Sequence, residues 1–176
     1  GTCLVQPVLV AKGNGETQQL YLAGGFQPIE GNQDALLPTE LLTFDTSTRM
    51  WRTESELPSL EDGGPRTLTG GNALLWGDHR ILYFGGVNYQ EFADAVNRPL
   101  RLKAAEAAAD TATLDSLRAE AAQYLRHPVE WYRFNTDGLV YDTETKQWNQ
   151  LGHHEPFARA GAGAVITDQQ VTVICG

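Results

Sequence analysis

Sulfur is nearly absent from this chain. Two cysteines, Cys3 and Cys175, stand at opposite ends of 176 residues, beside a single methionine. A disulfide-dense scaffold is thereby excluded. The spacing leaves a bond between the two thiols open, but the preferred reading is a pair of buried thiols in strands. Long apolar runs are also missing, and none approaches the ~20 residues that cross a bilayer as a helix. Positive charge is scarce: 13 Lys and Arg face 22 Asp and Glu, for a net charge of -9. An acidic surface argues against nucleic acid and anionic membranes as partners. No secretory leader opens the chain, so any export signal is expected to have been removed or never to have existed. Phosphate loops are lacking too, because Gly161-Ala162-Gly163 is followed by neither Lys-Ser/Thr nor a helix. His153 and His154 adjoin Glu155, but neighbours on extended backbone point apart, so no metal site is expected.

What the chain does have is repetition. Ile81-Leu82-Tyr83-Phe84-Gly85-Gly86 repeats Leu20-Tyr21-Leu22-Ala23-Gly24-Gly25, and an altered copy closes the chain at Val171–Gly176. A second element, Phe44-Asp45-Thr46-Ser47-Thr48-Arg49-Met50-Trp51, returns as Tyr141-Asp142-Thr143-Glu144-Thr145-Lys146-Gln147-Trp148. Internal repeats decide the fold class before any local propensity does. Around them the strand signals fall in a fixed order. The first copy predicts strands at Gln6–Val10, Gln19–Ala23, Glu40–Asp45 and Met50–Glu54, with a tight turn at Gly13–Glu16 and a polar loop from Phe26 to Thr39. The second predicts Thr67–Trp76, Ile81–Phe84, Leu139–Asp142 and Gln147–Gln150. A third begins at Ala158-Arg159, turns at Thr167-Asp168-Gln169 and ends on its second strand.

Four strands in meander order, with a glycine pair after the second and Trp on the fourth, is the layout of a propeller blade. The expected fold class is all-β: a partial propeller with one blade over 1–60, another over 61–157 and half a blade over 158–176. The second blade carries a helical insertion at about 91–135. Leu100–Ala109 is Ala-rich and reads as one helix. A second is capped by Asp110 or Thr113 and shows Leu114, Leu117, Ala121, Tyr124 and Leu125 on one face. Pro99 and Pro128 are read as the brackets of the pair, and its apolar stripe as resting on the propeller rim. Trp51 and Trp148 read as packing between blades. Asp45 and Asp142 read as braces of the turns that follow them, and Glu54-Ser55-Glu56 with Glu61-Asp62 as a solvated face.

These features resemble a Kelch-type β-propeller. The glycine pair, the aromatic-Asp pair and the Trp six residues after that Asp carry the resemblance, whereas sialidase propellers space their Asp and Trp differently. One branch is closer. The helical insertion after Gly85-Gly86-Val87-Asn88, the run Glu130-Trp131-Tyr132-Arg133-Phe134-Asn135 and the Tyr141-Asp142…Trp148 strand pair resemble the bacterial N-acetylneuraminate epimerase, or cyclically permuted mutarotase, family. The match is good over about 70–176 and only generic before that. It implies a six-bladed relative that interconverts the α and β anomers of sialic acid, with no cofactor, in the periplasm or outside the cell. It also implies that the chain is about half the family's length, so that its unpaired blade edges invite self-association or pairing with other blades. The family's proton-transferring glutamate is expected directly after the position of Gly176, and no residue here is assigned that role.

Mutarotation opens a sugar ring and closes it on the other face. A base takes the anomeric hydroxyl proton while an acid protonates the ring oxygen. Sialic acid adds a carboxylate, which the planar arginine fork binds bidentately. Arg66 and Arg159 hold the same place in successive repeats, just before the innermost strand, and are candidates for that contact; the alternative is that they tie loops between blades. Asn88 and Tyr89, which follow the glycine pair, and Glu130, Tyr132 and Asn135, which re-enter from the insertion, are candidates for the rest of the sugar. The aromatic ones have packing as their alternative role. The predicted function is thus a sialic acid mutarotase-like carbohydrate isomerase acting on a small sugar acid. The competing reading is a non-catalytic Kelch module that binds a protein or a glycan. A propeller-type copper oxidase is set aside for want of a Cys, Tyr and His ligand set.

Overall fold

β-Branched and aromatic residues favour a pleated, half-buried surface, and the repeated apolar runs form the middle strands of two antiparallel sheets. The computed structural model describes residues 3–28, 31, 34–167 and 170–176, with Glu16 described by its backbone alone. Strands β1 (Val5–Lys12), β2 (Gln19–Phe26), β3 (Glu40–Asp45) and β4 (Met50–Glu56) make the first sheet in meander order. Strands β5 (Gly71–Trp76), β6 (Arg80–Gly85), β7 (Asp137–Asp142) and β8 (Gln147–His153) make the second. Strands β9 (Gly163–Thr167) and β10 (Gln170–Ile174) form a two-stranded ribbon. Helices α1 (Tyr89–Ala107) and α2 (Thr111–Tyr124) lie between β6 and β7 and pack on one another. The chain is a partial propeller of two four-stranded blades and a two-stranded ribbon.

The continuous apolar run of β6 has a simple cause. Successive side chains of a strand point to opposite faces, and both faces of β6 are covered. Ile81 and Tyr83 join Val8, Tyr21, Ala23 and Leu41 of the first sheet in one core cluster. Leu82 and Phe84 join Val140 in another, against which Ala164, Val171 and Val173 of the ribbon pack. Glycine makes the close stacking possible. A Cβ on Gly24 would stand 2.4 Å from the Leu68 carbonyl carbon, and one on Gly85 would stand 2.7 Å from the Arg159 carbonyl oxygen. Both residues have positive φ, at +63° and +70°, which glycine adopts without a steric penalty. Backbone hydrogen bonds then step from unit to unit: Gly70 N–H donates to Gln6 at 3.0 Å, and Gly161 N–H donates to Gly70 at 2.7 Å.

The aspartates brace their turns as the sequence implies. Asp45 accepts from the amides of Ser47 (2.8 Å) and Thr48 (3.2 Å). Asp142 accepts from those of Glu144 and Thr145, both at 2.9 Å. The hydrogen bonds at each turn hold both carboxyls below the usual carboxylate range, with the Ser47 hydroxyl leading at Asp45 and the Thr145 amide at Asp142.

Several expectations need correction. Helix α1 starts at Tyr89 rather than Leu100 and carries Pro99 inside it. Asn88 caps it, its side chain accepting from Gln90 N–H and Glu91 N–H. Asp110, not Thr113, caps α2. Phe92 packs edge-on against Phe26, and Asn97 accepts from the Ala35 amide at 2.8 Å, so α1 is fastened to the loop of the first sheet. Leu114 and Leu117 are buried, whereas Leu125 is 84% exposed and leaves the predicted stripe. The fully buried Thr67 and Thr69 precede β5 rather than belonging to it. Gly15–Thr17 is a single 3-10 turn, so the β1–β2 connection is longer than a tight hairpin.

Trp51 is half exposed, while Trp148 packs on Tyr83 and Tyr141 and donates to Ser55 Oγ at 2.7 Å across the two sheets. Cys3 and Cys175 are free and exposed, and lie outside the strands. Glu54 is not solvated: its side chain is 7% exposed. Parts of two predicted connections, residues 29, 30, 32 and 33 of the Phe26–Thr39 loop and Asp168-Gln169 of the last turn, lie outside the described residues.

Candidate functional site

One rim gathers the β4–β5 and β8–β9 loops, the ends of β6 and β8, and the residues leading into β7. Two clefts lie there. The first, about 390 Å³, is lined by Leu60, Glu61, Asp62, Arg66, Asn88, Arg133, Phe134, Asn135, Thr136, Asp137 and His153. The second, about 470 Å³, is lined by Val129, Glu130, Arg133, Phe134, Thr136, Glu155, Ala158, Arg159 and Gly176. They share Arg133, Phe134 and Thr136 and so adjoin.

Arg66 is the anchor of the first cleft. It is 2% exposed, a burial that a guanidinium tolerates only with partners. Its Nε donates to the Pro58 carbonyl at 2.8 Å. Its Nη2 donates to the Ser59 carbonyl at 3.3 Å and to Asp137 Oδ2 at 2.6 Å. Its Nη1 is buried with no protein partner among the described residues. Asn135, also buried, donates through Nδ2 to the carbonyls of Thr67 (2.8 Å), Gly85 (3.1 Å) and Val87 (3.2 Å). It thereby ties the strand ends of the second sheet to the segment that leaves the insertion. Thr69 adds a hydrogen bond to the Gly25 carbonyl at 2.8 Å. The residues at and behind the floor of the cleft are therefore tied together by hydrogen bonds.

Arg159 sits in the second cleft, half-buried. Its Nε donates to the Pro156 carbonyl at 3.0 Å and its Nη1 to the Cys175 carbonyl at 3.3 Å. Glu130 stands exposed in the same cleft, on the 3-10 turn Val129–Tyr132. The two arginines that the repeat aligns thus occupy adjoining clefts, one buried against a carboxylate and one open. Of the other candidates, Asn88 lines the first cleft while capping α1. Tyr89 begins α1 and lines neither cleft. Tyr132 also lines neither; its hydroxyl donates to the Tyr124 carbonyl and holds the end of the helical hairpin.

Residues the sequence reading passed over complete the rim. His153 has Nδ1 2.6 Å from Thr136 Oγ1 and 3.8 Å from Asp137 Oδ1, with Nε2 3.5 Å from Glu155. Its adjacency to His154 drew attention to metal binding and away from the cleft. Among the described residues, no group of three or more His, Cys, Asp and Glu is placed to hold a metal ion. Arg133 had no signal except its place in the aromatic run after the helices.

Comparison with known proteins gives this rim a context. Among solved structures, that of YjhT superposes with a TM-score of 0.68 at 22% sequence identity, covering 93% of this chain and 41% of that one. Among curated proteins, the N-acetylneuraminate epimerase of Haemophilus influenzae is 29% identical over 90% of this chain and 38% of its own length. That of Vibrio cholerae is 26% identical over 89% of this chain and 38% of its own length. The chain therefore spans well under half the length of these relatives. The family model described as N-acetylneuraminate epimerase matches residues 4–176, and the chain belongs to that family.

Proposed function

We propose that the rim binds an anionic sugar of the N-acetylneuraminate class and that the chain serves a sialic acid mutarotase-like isomerase. One observation carries this reading: Arg66 lines the first cleft, is held by Asp137 and two carbonyls, and keeps a buried Nη1 without a partner among the described residues. A buried charged donor without an acceptor costs about 1–3 kcal/mol or more. A substrate carboxylate would supply that acceptor with charge assistance once the side chains that cover Nη1 move aside to admit it. The relatives' names point to the same substrate.

In the proposed reaction a carboxylate takes the anomeric hydroxyl proton, the ring opens as its oxygen is protonated, and the chain closes on either face of the carbonyl. Proton transfer by a positioned group contributes about 10²–10⁴-fold. The base is proposed to follow Gly176, which lines the second cleft beside Glu130 and Arg159. Export to the periplasm is part of the same proposal.

The test is an NMR time course of anomer exchange in fresh α-N-acetylneuraminate, run with this chain and with the full product of its gene. Acceleration by the full product alone supports the isomerase and assigns the base to residues beyond this chain. Acceleration by both places a base among the residues described, with Glu130 the first to replace. If neither changes the exchange rate, the isomerase reading is lost and a Kelch binding module takes its place.

A further inference from the structure

Arg133, Phe134 and Thr136 border both clefts, and of these only Arg133 is charged. Its backbone is left-handed, at φ +50° and ψ +42°, a conformation that a non-glycine residue keeps only where its surroundings impose it. Those surroundings are firm on both sides. Tyr132 is hydrogen-bonded to the Tyr124 carbonyl, the Tyr132 and Phe134 rings stack at 5.7 Å, and Asn135 is pinned to three carbonyls. The Arg133 guanidinium is by contrast poorly held. Nη2 lies 3.7 Å from Asp62 and Nη1 3.9 Å from Glu91, both beyond hydrogen-bond reach, and the side chain is 56% exposed. A fixed backbone therefore presents an uncommitted cation beside the committed one of Arg66.

We propose that Arg133 is a specificity-determining residue: a second guanidinium that exchanges its loose pairing with Asp62 and Glu91 for the carboxylate of an acidic sugar held at Arg66. The inference rests on the reading of the rim as a sugar-acid site. Its consequence is selectivity for a single negative charge. The linings of the two clefts hold more carboxylates than guanidiniums. A neutral sugar leaves the pairings of both arginines unchanged, and a doubly charged phosphate meets repulsion from the surrounding acids. Only a monoanion matches what the two arginines offer, and discrimination of this kind uses repulsion as well as attraction.

Arg133→Gly in the full product of the gene is the direct test, since glycine accepts the left-handed backbone and the fold is kept. Isothermal titration would compare N-acetylneuraminate with its methyl ester. The expected result is about a tenfold weaker affinity for the acid, with the ester unchanged. Arg133→Lys, which keeps the charge without the planar fork, is expected to recover part of the loss. Equal affinity of the unaltered protein and Arg133→Gly for the acid overturns the proposal while leaving the sugar-acid site in place. An equal loss for acid and ester also overturns it, because the residue then shapes the cleft rather than reading charge. If the unaltered protein binds no N-acetylneuraminate, the underlying reading fails and this one with it.

Discussion

Replacing Glu54 by alanine tests how the first two blades are joined. Glu54 lies on β4, and its side chain is 7% exposed. Tyr141 of the second sheet donates its hydroxyl to Glu54 Oε1 at 3.0 Å. Lys146, on the turn beyond β7, pairs with the same oxygen. Within the first sheet, Arg52 Nε stands 3.3 Å away and Thr43 Oγ1 donates at 3.3 Å. Hydrogen bonds to a charged group are worth about 1.5–3 kcal/mol. The Lys146 and Arg52 side chains are 45% and 56% exposed, so screening limits each of those pairs to about 0–1 kcal/mol. Glu54→Ala removes all four and leaves the part-buried Tyr141 hydroxyl without its acceptor, for a loss of about 2–4 kcal/mol. In a chain of this size that lowers the melting temperature by about 5–15 °C.

The effect has a pH signature. Burial works to raise the Glu54 pKa, but the hydrogen bonds from Lys146 and Tyr141 and the attraction of Lys146 and Arg52 outweigh it, so the folded value lies below 4.5. The stabilisation is therefore fully present above about pH 4.5 and is lost as pH falls through the lower folded value. Thermal melts by circular dichroism between pH 7 and pH 3 should show wild type and Glu54→Gln converging in the acid range. A Glu54→Ala protein melting within 2 °C of wild type at pH 7 would refute the reasoning.

Two further predictions follow from the interfaces. Gly24→Ala sets a methyl against the backbone of Leu68 and Thr69 in a left-handed conformation; a loss of about 3–5 kcal/mol is expected in urea unfolding, and an unchanged midpoint would count against close blade stacking. Asn135→Ala deprives the carbonyls of Thr67, Gly85 and Val87 of a shared donor. It should cost about 1–3 kcal/mol and raise hydrogen exchange at Val87, whose amide donates to Thr69.

Where a local pattern alone determines structure, the sequence was readable. The Ile81–Gly86 run announces a strand ending at a glycine pair, and Asp45 and Asp142 brace turns that lie within three residues of them. Non-local partners were harder to foresee. Glu54 looks like surface because its acidic neighbours are surface, and its partner Tyr141 is far along the chain. Trp51 and Trp148 share one motif position, but Trp148 has the first sheet beside it and Trp51 is half exposed. Pro99 reads as a boundary, although Asn88 followed by Glu91 marks where α1 begins. At the site, repetition exposed Arg66 and Arg159 because they occur twice. Arg133 occurs once, in a conformation that no spacing rule anticipates.

The insertion also bears on the order in which the chain folds. β6 and β7 are neighbours in the second sheet yet are separated by both helices. Joining two strand ends across so long a connection would be slow for a flexible chain, since closure entropy must be lost before the strand pairing compensates for it. A helical hairpin forms from local contacts and brings its own ends together, so the connection behaves as a much shorter tether. On this view α1 and α2 act first as a folding device: their docking through Phe92 and Asn97 onto the first sheet delivers β7 to the edge of β6, and the rim with its arginines takes shape as the last strands arrive.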